Sequence, residues 1–175
     1  MFKMISIVIV ALIAAVLGLA VTQPDTFRVE RSATIKAPPE KVYRLLNDFH
    51  QWPQWSPWER MDPAMQRTHG GAQNGIGATY AWEGNKKVGK GRMEIVESVP
   101  PSKVTIKLDF LAPFEAHNTA EFLLTAQGDA TTVTWAMTGP NMFLAKVMSV
   151  FASMDRMVGK DFESGLANLK AIAEK

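Results

Sequence analysis

From Met4 to Val21 the chain carries no charged side chain, and Ser6 is its only hydroxyl. A helix over that run would reach about 27 Å at ~1.5 Å per residue, close to the ~30 Å hydrocarbon core of a bilayer. Lys3 and the α-amino group precede it. Positive charge on that side favours a cytoplasmic N-terminus, with the rest of the chain placed outside. Three readings compete for the run: a retained anchor, a cleaved signal peptide, or a buried helix of the adjoining domain. Gly18-Leu19-Ala20 offers a small-x-small cleavage site after Ala20, but the run is longer than the apolar region of ~7–15 residues that signal peptides use. The anchor is the leading reading, and both of the first two export the remainder of the chain. The expected localisation is membrane-anchored with the domain on the extracytoplasmic side, or secreted or periplasmic after cleavage. The expected organisation is residues 1–22 as anchor or signal and residues 26–175 as one domain.

A remainder of about 150 residues is enough for a single domain with its own core, and not for two. Cysteine is absent, which removes disulfides, thiolate ligands and thiol nucleophiles. The net charge is +2, and the lysines are scattered apart from Lys86-Lys87 and Lys90-Arg92. No clustered footprint for nucleic acid is present. The basic cluster reads first as a solvated hairpin, with contact to anionic headgroups as the sharper alternative.

Beyond the linker Thr22–Asp25 the period of the pattern becomes two. Phe27, Val29, Arg31, Ala33 and Ile35 share one strand face, with Arg31 as an edge exception. Pro38-Pro39 ends that strand, and Val42, Leu45, Leu46 and Phe49 recur at helical spacing. Trp52-Pro53-Gln54-Trp55-Ser56-Pro57-Trp58 is a loop that must bury much of itself. It either packs over one end of the core or forms a ligand portal or membrane-facing lip. Gly70-Gly71 and Gly75-x-Gly77 read as a flexible approach to the next strand. Alternation then returns at Ala78–Trp82, Met93–Val99, Val104–Phe110, Asn118–Leu124 and Val133–Met137, with turns between. These neighbouring strands read as antiparallel, each with one face toward a core. The tail is helical. Val147, Val150, Phe151, Met154 and Val158 carry an apolar stripe that Phe162, Leu166, Leu169 and Ala173 continue. Asn141–Met148 is readable as a separate turn leading into the long helix. Gly159 and Gly165 interrupt the pattern at about 1 kcal/mol each relative to alanine, for close packing or a bend. The fold class is α+β, a curved antiparallel sheet around a long C-terminal helix.

Ile35-Lys36-Ala37-Pro38-Pro39-Glu40-Lys41-Val42-Tyr43, Asn47-Asp48-Phe49, the Trp52–Trp58 loop, Thr131–Gly139 and Gly159–Leu169 together resemble the SRPBCC superfamily. This superfamily is also called START-like or Bet v 1-like, and the resemblance is to its polyketide cyclase/dehydrase branch. It runs from about Phe27 to Ala173. It implies a helix-grip fold with a hydrophobic cavity between sheet and helix. It does not transfer a catalytic motif, because members bind lipids, hormones and polyketides and only some are enzymes.

His50, His69 and His117 have no paired spacing and no cysteine partners, so no metal and no cofactor are expected. No G-x-S-x-G elbow and no phosphate-cradling loop occur. Asp109, Glu121 and Glu94 lie on polar strand phases and read as solvated. Tyr80, Trp82, Phe110, Phe122, Trp135, Met137, Met154, Val158 and Phe162 are the residues expected to face the centre, as core packing or as cavity lining. Tyr80 is the best polar handle for a mostly apolar ligand. His117, at the start of a strand, is a rim residue by default. Tyr80 and His117 are the weak candidates for proton transfer. The expected partner is a small hydrophobic molecule or lipid, with the membrane engaged through residues 4–21 and no nucleic acid. A cyclase, dehydratase or aromatase, or an envelope protein contacting a partner through the tryptophan loop, are the alternatives.

Overall fold

The computed structural model describes residues 2–150 and 153–175. Helix α1 (Phe2–Val21) precedes strand β1 (Thr26–Ile35), helix α2 (Pro39–Leu46) and two 3-10 turns, Phe49–Gln54 and Pro57–Arg60. Strands β2 (Gln66–Gly71), β3 (Ala78–Glu83), β4 (Lys90–Val99), β5 (Lys103–Ala112), β6 (Ala116–Gln127) and β7 (Ala130–Pro140) come next. Helices α3 (Phe143–Ser149) and α4 (Met154–Ala173) come last. The strands form one antiparallel sheet in the order β1-β7-β6-β5-β4-β3-β2. Register shifts between Lys90 and Gly91 and between Ile95 and Glu97 add local twist where the sheet must curl.

The alternation decides which face is buried. Val104, Ile106, Phe122, Val133 and Trp135 point inward and are buried, while Lys107, Thr119 and Leu123 between them are exposed. Helix α4 lies across that inner face with Phe162, Leu166, Leu169 and Ala173 buried, a stripe at helical spacing. Ser153 caps its N-terminus by accepting from the Arg156 amide. The two glycines of α4 sit where it crowds the sheet. A Cβ on Gly165 would come within 2.7 Å of the Trp135 ring, and one on Gly159 within 2.2 Å of the Arg31 guanidinium. Helix α1 is long and apolar enough to cross a membrane by length and composition, and little of it is buried.

Four expectations are corrected in part or in whole. Arg31 does lie on an edge strand, β1, but its charge is not left to solvent. It faces α4 and forms 2.7 Å ion pairs with both Asp155 and Glu163, which is why a glycine stands opposite it at position 159. Of the glycine-rich approach, Gly70-Gly71 is the end of strand β2, paired with Thr79 and Ala78, while Gly75 and Gly77 lie in the turn that leads into β3; a polar edge strand has no alternation to reveal it. The separate turn expected over Asn141–Met148 is α3, so of the C-terminal stripe Val147 and Val150 lie outside the long helix, and Phe151 lies outside the described residues. Asp109 is buried on the outer face of the sheet rather than solvated. It is covered by Arg92 at 3.6 Å, Lys107 at 3.4 Å and His117 at 2.7 Å.

Candidate ligand-binding site

Helix α2 ends with carbonyls that its own backbone cannot satisfy. Two indoles of the tryptophan loop supply donors. Trp52 Nε1 donates to the Leu46 carbonyl and Trp55 Nε1 to the Leu45 carbonyl, both at 3.1 Å. The loop is thereby pinned under α2. Its rings continue inward as an aromatic stack, with Trp55 against Trp135 at 5.6 Å and Trp135 parallel to Phe162 at 4.1 Å. Trp58, at the far end of the loop, packs edge-on with both Trp135 and Phe162.

The opposite wall is the β3–β4 hairpin. Gly91 has no side chain because the Trp82 ring occupies its place; a Cβ there would lie 2.4 Å from the indole. Trp82 Nε1 donates to the Val88 carbonyl at 3.0 Å, so the ring is fixed at the base of the hairpin.

Between these walls and α4 lies a cavity of about 310 Å³, at the lower end of the range for small-molecule pockets. Its lining is mainly aromatic and aliphatic, including Trp58, Trp82, Leu108, Phe110, Met137 and Val158. Met157 and Lys87 are the exposed lining residues, and they mark the opening between the first turns of α4 and the hairpin.

A hydrogen-bonded polar set interrupts the apolar wall, and Ser56, Lys87 and Asp161 are the other polar residues of the lining. The Glu59 side chain, only 6% exposed, takes a 2.6 Å ion pair from Arg67 Nε and a 2.5 Å hydrogen bond from the Tyr80 hydroxyl. Arg67 also donates to the Met65 carbonyl at 2.6 Å. Burial raises the Tyr80 phenol above its ordinary value, and its bond to the Glu59 carboxylate raises it further. Tyr80 is therefore a neutral donor at any physiological pH. The hydrogen-bonded Glu59 carboxylate likewise raises Arg67. Glu59 and Arg67 cancel, so this set presents a dipole and not a net charge. Asp161, near the opening, has no ion-pair or hydrogen-bond partner among the described residues, and burial raises its carboxyl above the usual range.

The profile of the family described as polyketide cyclase/dehydrase and lipid transport matches residues 26–174. The chain belongs to this family. It is a member of the SRPBCC superfamily, with the helix-grip architecture of that group. No curated protein matches the sequence. Among solved structures, a protein from Chromobacterium violaceum is similar at 18% identity and a TM-score of 0.60, over 87% of this chain and 99% of its own. The Aha1 dimer from Colwellia psychrerythraea is similar at 19% identity and a TM-score of 0.57, over 85% and 96%. The di-domain ARO/CYC BexL of the BE-7585A biosynthetic pathway is similar at 18% identity and a TM-score of 0.61, over 91% of this chain and 53% of that one. At such identities the likeness is one of fold.

Within this family member, Tyr80, Trp82, Phe110, Trp135, Met137, Val158 and Phe162 are brought together around the cavity. Phe122 is not among the lining; it is fully buried behind it, against Trp52, Trp55 and Trp135. Met154 packs against the core at the start of α4, also outside the lining. His117 stands on the outer face of the sheet, half a strand period away from Asn118 and Ala120, which point inward. It has no access to the cavity. The His50 and His69 rings, remote in sequence, stack at 4.2 Å. No cluster of three or more metal-binding side chains occurs among the described residues. Sequence reasoning missed Glu59, Arg67 and Asp161. Glu59 follows the tryptophans with no local pattern to mark it, and Arg67 lies in the strand that the pattern did not show.

Proposed function

We propose that the domain, residues 26–175, binds a small hydrophobic molecule or lipid in the cavity between sheet and α4, while residues 1–22 hold it at a membrane with the domain on the extracytoplasmic side. The observation that carries this reading is the largely apolar cavity between sheet and α4, with the hydrogen-bonded pair Tyr80–Glu59 in its wall and Arg67 behind it. Apolar walls take up most of a ligand's surface and a few fixed polar groups orient it. Retention of the anchor is supported by the packing of α1 against α3 and by the burial of Ala20, beside which a signal peptidase would cut.

A second reading is a cyclase, dehydratase or aromatase acting on a hydrophobic substrate. The family description and the likeness to the ARO/CYC protein favour it, and so does a carboxylate placed at the cavity wall. Against it, the Tyr80 proton is committed to Glu59, and a raised phenol gives its proton up less readily and is not ionised to act as a base at neutral pH. A group held this way orients a ligand more readily than it transfers a proton.

The test is native mass spectrometry of the full chain, extracted from its host membrane, with identification of any bound small molecule. A stoichiometric apolar adduct that is lost in Leu108→Trp, which fills the cavity from β5, supports binding. No adduct, and no uptake of a fluorescent apolar probe that Leu108→Trp abolishes, refutes it.

A further inference from the structure

The strand pairings place one end of the sheet in a single neighbourhood. Thr26 at the start of β1 pairs with Pro140 at the end of β7. Phe110 near the end of β5 pairs with Ala116, Lys90 with Ala112, and Glu83 with both Lys90 and Gln66. The β3–β4 hairpin, the β5–β6 turn, α3 and the first turn of α4 therefore share the end at which α1 joins the domain. The cavity opens at that same end, between Lys87 and Met157.

The joint is short and tied. Residues 22–25 reach at most about 14 Å even when fully extended. The Asn141 amide donates to the Asp25 carbonyl at 2.7 Å, and Asn141 Nδ2 to the Pro24 carbonyl at 3.0 Å. Lys146 on α3 bonds the Asp25 carboxylate at 2.5 Å, and α1 packs against α3. A domain held this way cannot turn freely on its anchor.

The surface at that end is unlike the rest. Outside α1, the exposed large apolar residues Leu111, Phe114, Met142, Phe143, Met148 and Met157 all lie there, with Phe114 71% and Met142 69% exposed. Only Ile76, Val96, Val99 and Leu123 are exposed elsewhere among the described residues. Lys86, Lys87 and Arg156 flank the apolar group and have no carboxylate partner among the described residues. Arg156 stands in the first turn of α4, where a helix gains nothing from a cation. Exposed apolar side chains with Lys86, Lys87 and Arg156 beside them match the boundary between acyl chains and anionic headgroups, and the exposed acids at this end, Asp25, Glu83 and Glu115, each have a lysine or imidazole partner.

We infer that this end of the domain seats on the anionic bilayer surface that α1 crosses, so that the cavity mouth opens onto the membrane and its ligand passes between lipid and cavity without entering bulk water. The inference rests on the anchored, ligand-binding reading above and adds the orientation and the partner.

The native chain has no cysteine, so single cysteines report cleanly. The full chain carrying Phe114→Cys, Met148→Cys or Ile76→Cys is labelled with bimane and reconstituted into vesicles of phosphatidylcholine and phosphatidylglycerol containing headgroup-level nitroxide lipid. Quenching should be several-fold stronger at positions 114 and 148 than at 76, and Lys86→Glu with Lys87→Glu should weaken it at 114. Quenching equally low at all three positions overturns the seating, as does quenching at 114 that is the same in vesicles of phosphatidylcholine alone and indifferent to the charge reversals. Adducts measured on the same preparations keep the two readings apart. A loaded cavity without quenching refutes only the seating, and quenching over an empty cavity refutes only the ligand.

Discussion

Replacing Tyr80 with phenylalanine removes one oxygen from the cavity wall and leaves every ring contact in place. Tyr80 is 3% exposed and its ring packs against Phe49, His69 and Trp82, so Tyr80→Phe creates no cavity larger than a hydroxyl. What is lost is a 2.5 Å hydrogen bond to a carboxylate. Hydrogen bonds to charged groups contribute about 1.5–3 kcal/mol, and the buried acceptor that remains carries the cost of its own desolvation. Arg67 still holds the other carboxylate oxygen at 2.6 Å, which places the loss near the middle of that range, about 2 kcal/mol. At roughly 3 °C per kcal/mol for a domain of this size, the melting temperature should fall by about 6 °C. The measurement is thermal unfolding of the full chain in detergent, monitored by near-ultraviolet circular dichroism, which reports the packed aromatic core. A loss below about 0.5 kcal/mol would refute the reasoning. Water would then already satisfy Glu59, and the Tyr80–Glu59–Arg67 set would lose its place as the fixed polar group of the cavity wall.

Two further outcomes are expected. Gly159→Ala drives a methyl into the Arg31 guanidinium and displaces it from Asp155 and Glu163. The guanidinium is the far end of a flexible side chain, so the cost is that of two half-exposed ion pairs, about 0.2–1 kcal/mol each, against the roughly 1 kcal/mol that alanine gains over glycine in a helix. Urea unfolding should show a net change within about 1 kcal/mol, and Gly159→Ala in an Arg31→Met background should be stabilising, since no ion pair remains to be lost. His117 should titrate above the ordinary imidazole range, because Asp109 hydrogen-bonds and attracts its charged form. The stability this pair adds is fully present below the ordinary imidazole pKa of about 6.5 and is lost as pH rises through the raised folded value. Asp109 behaves oppositely. Burial pushes it up, the bonds from His117 and Lys107 outweigh that, and its contribution is lost as pH falls through its lowered value. Proton NMR of the imidazole checks this, with Asp109→Asn expected to return His117 toward its ordinary midpoint.

The range of each interaction decides whether the sequence reveals it. The strands from Ala78 to Met137 are legible because a sheet with one buried face writes an apolar residue at every second position. The α4 stripe from Phe162 to Ala173 is legible for the same kind of reason at helical period. Strand β2 writes nothing, since as a polar edge strand it is held by β3 and not by an apolar face. Arg31 is misread because one inward charge in a strand looks like an exception until two carboxylates on a helix more than a hundred residues later are placed opposite it. The cavity is harder still. Phe122 and Phe110 occupy the same inward phase of neighbouring strands, yet the first is sealed under Trp52 and Trp55 and the second borders open space. Periodicity reports which side of the sheet a residue faces and is silent on what fills the volume beyond it. Here that volume is set by where the tryptophan loop stops, and the loop stops where α2 runs out of hydrogen-bond donors for its last carbonyls. The indoles of Trp52 and Trp55 go to those carbonyls, which leaves Trp58 and Glu59 to finish the wall. The polar set then assembles from a 3-10 turn, an edge strand and its neighbour, through Glu59, Arg67 and Tyr80, with no local pattern linking them. The site is legible only after the loop has been placed, and the backbone groups that place it belong to α2 rather than to the site.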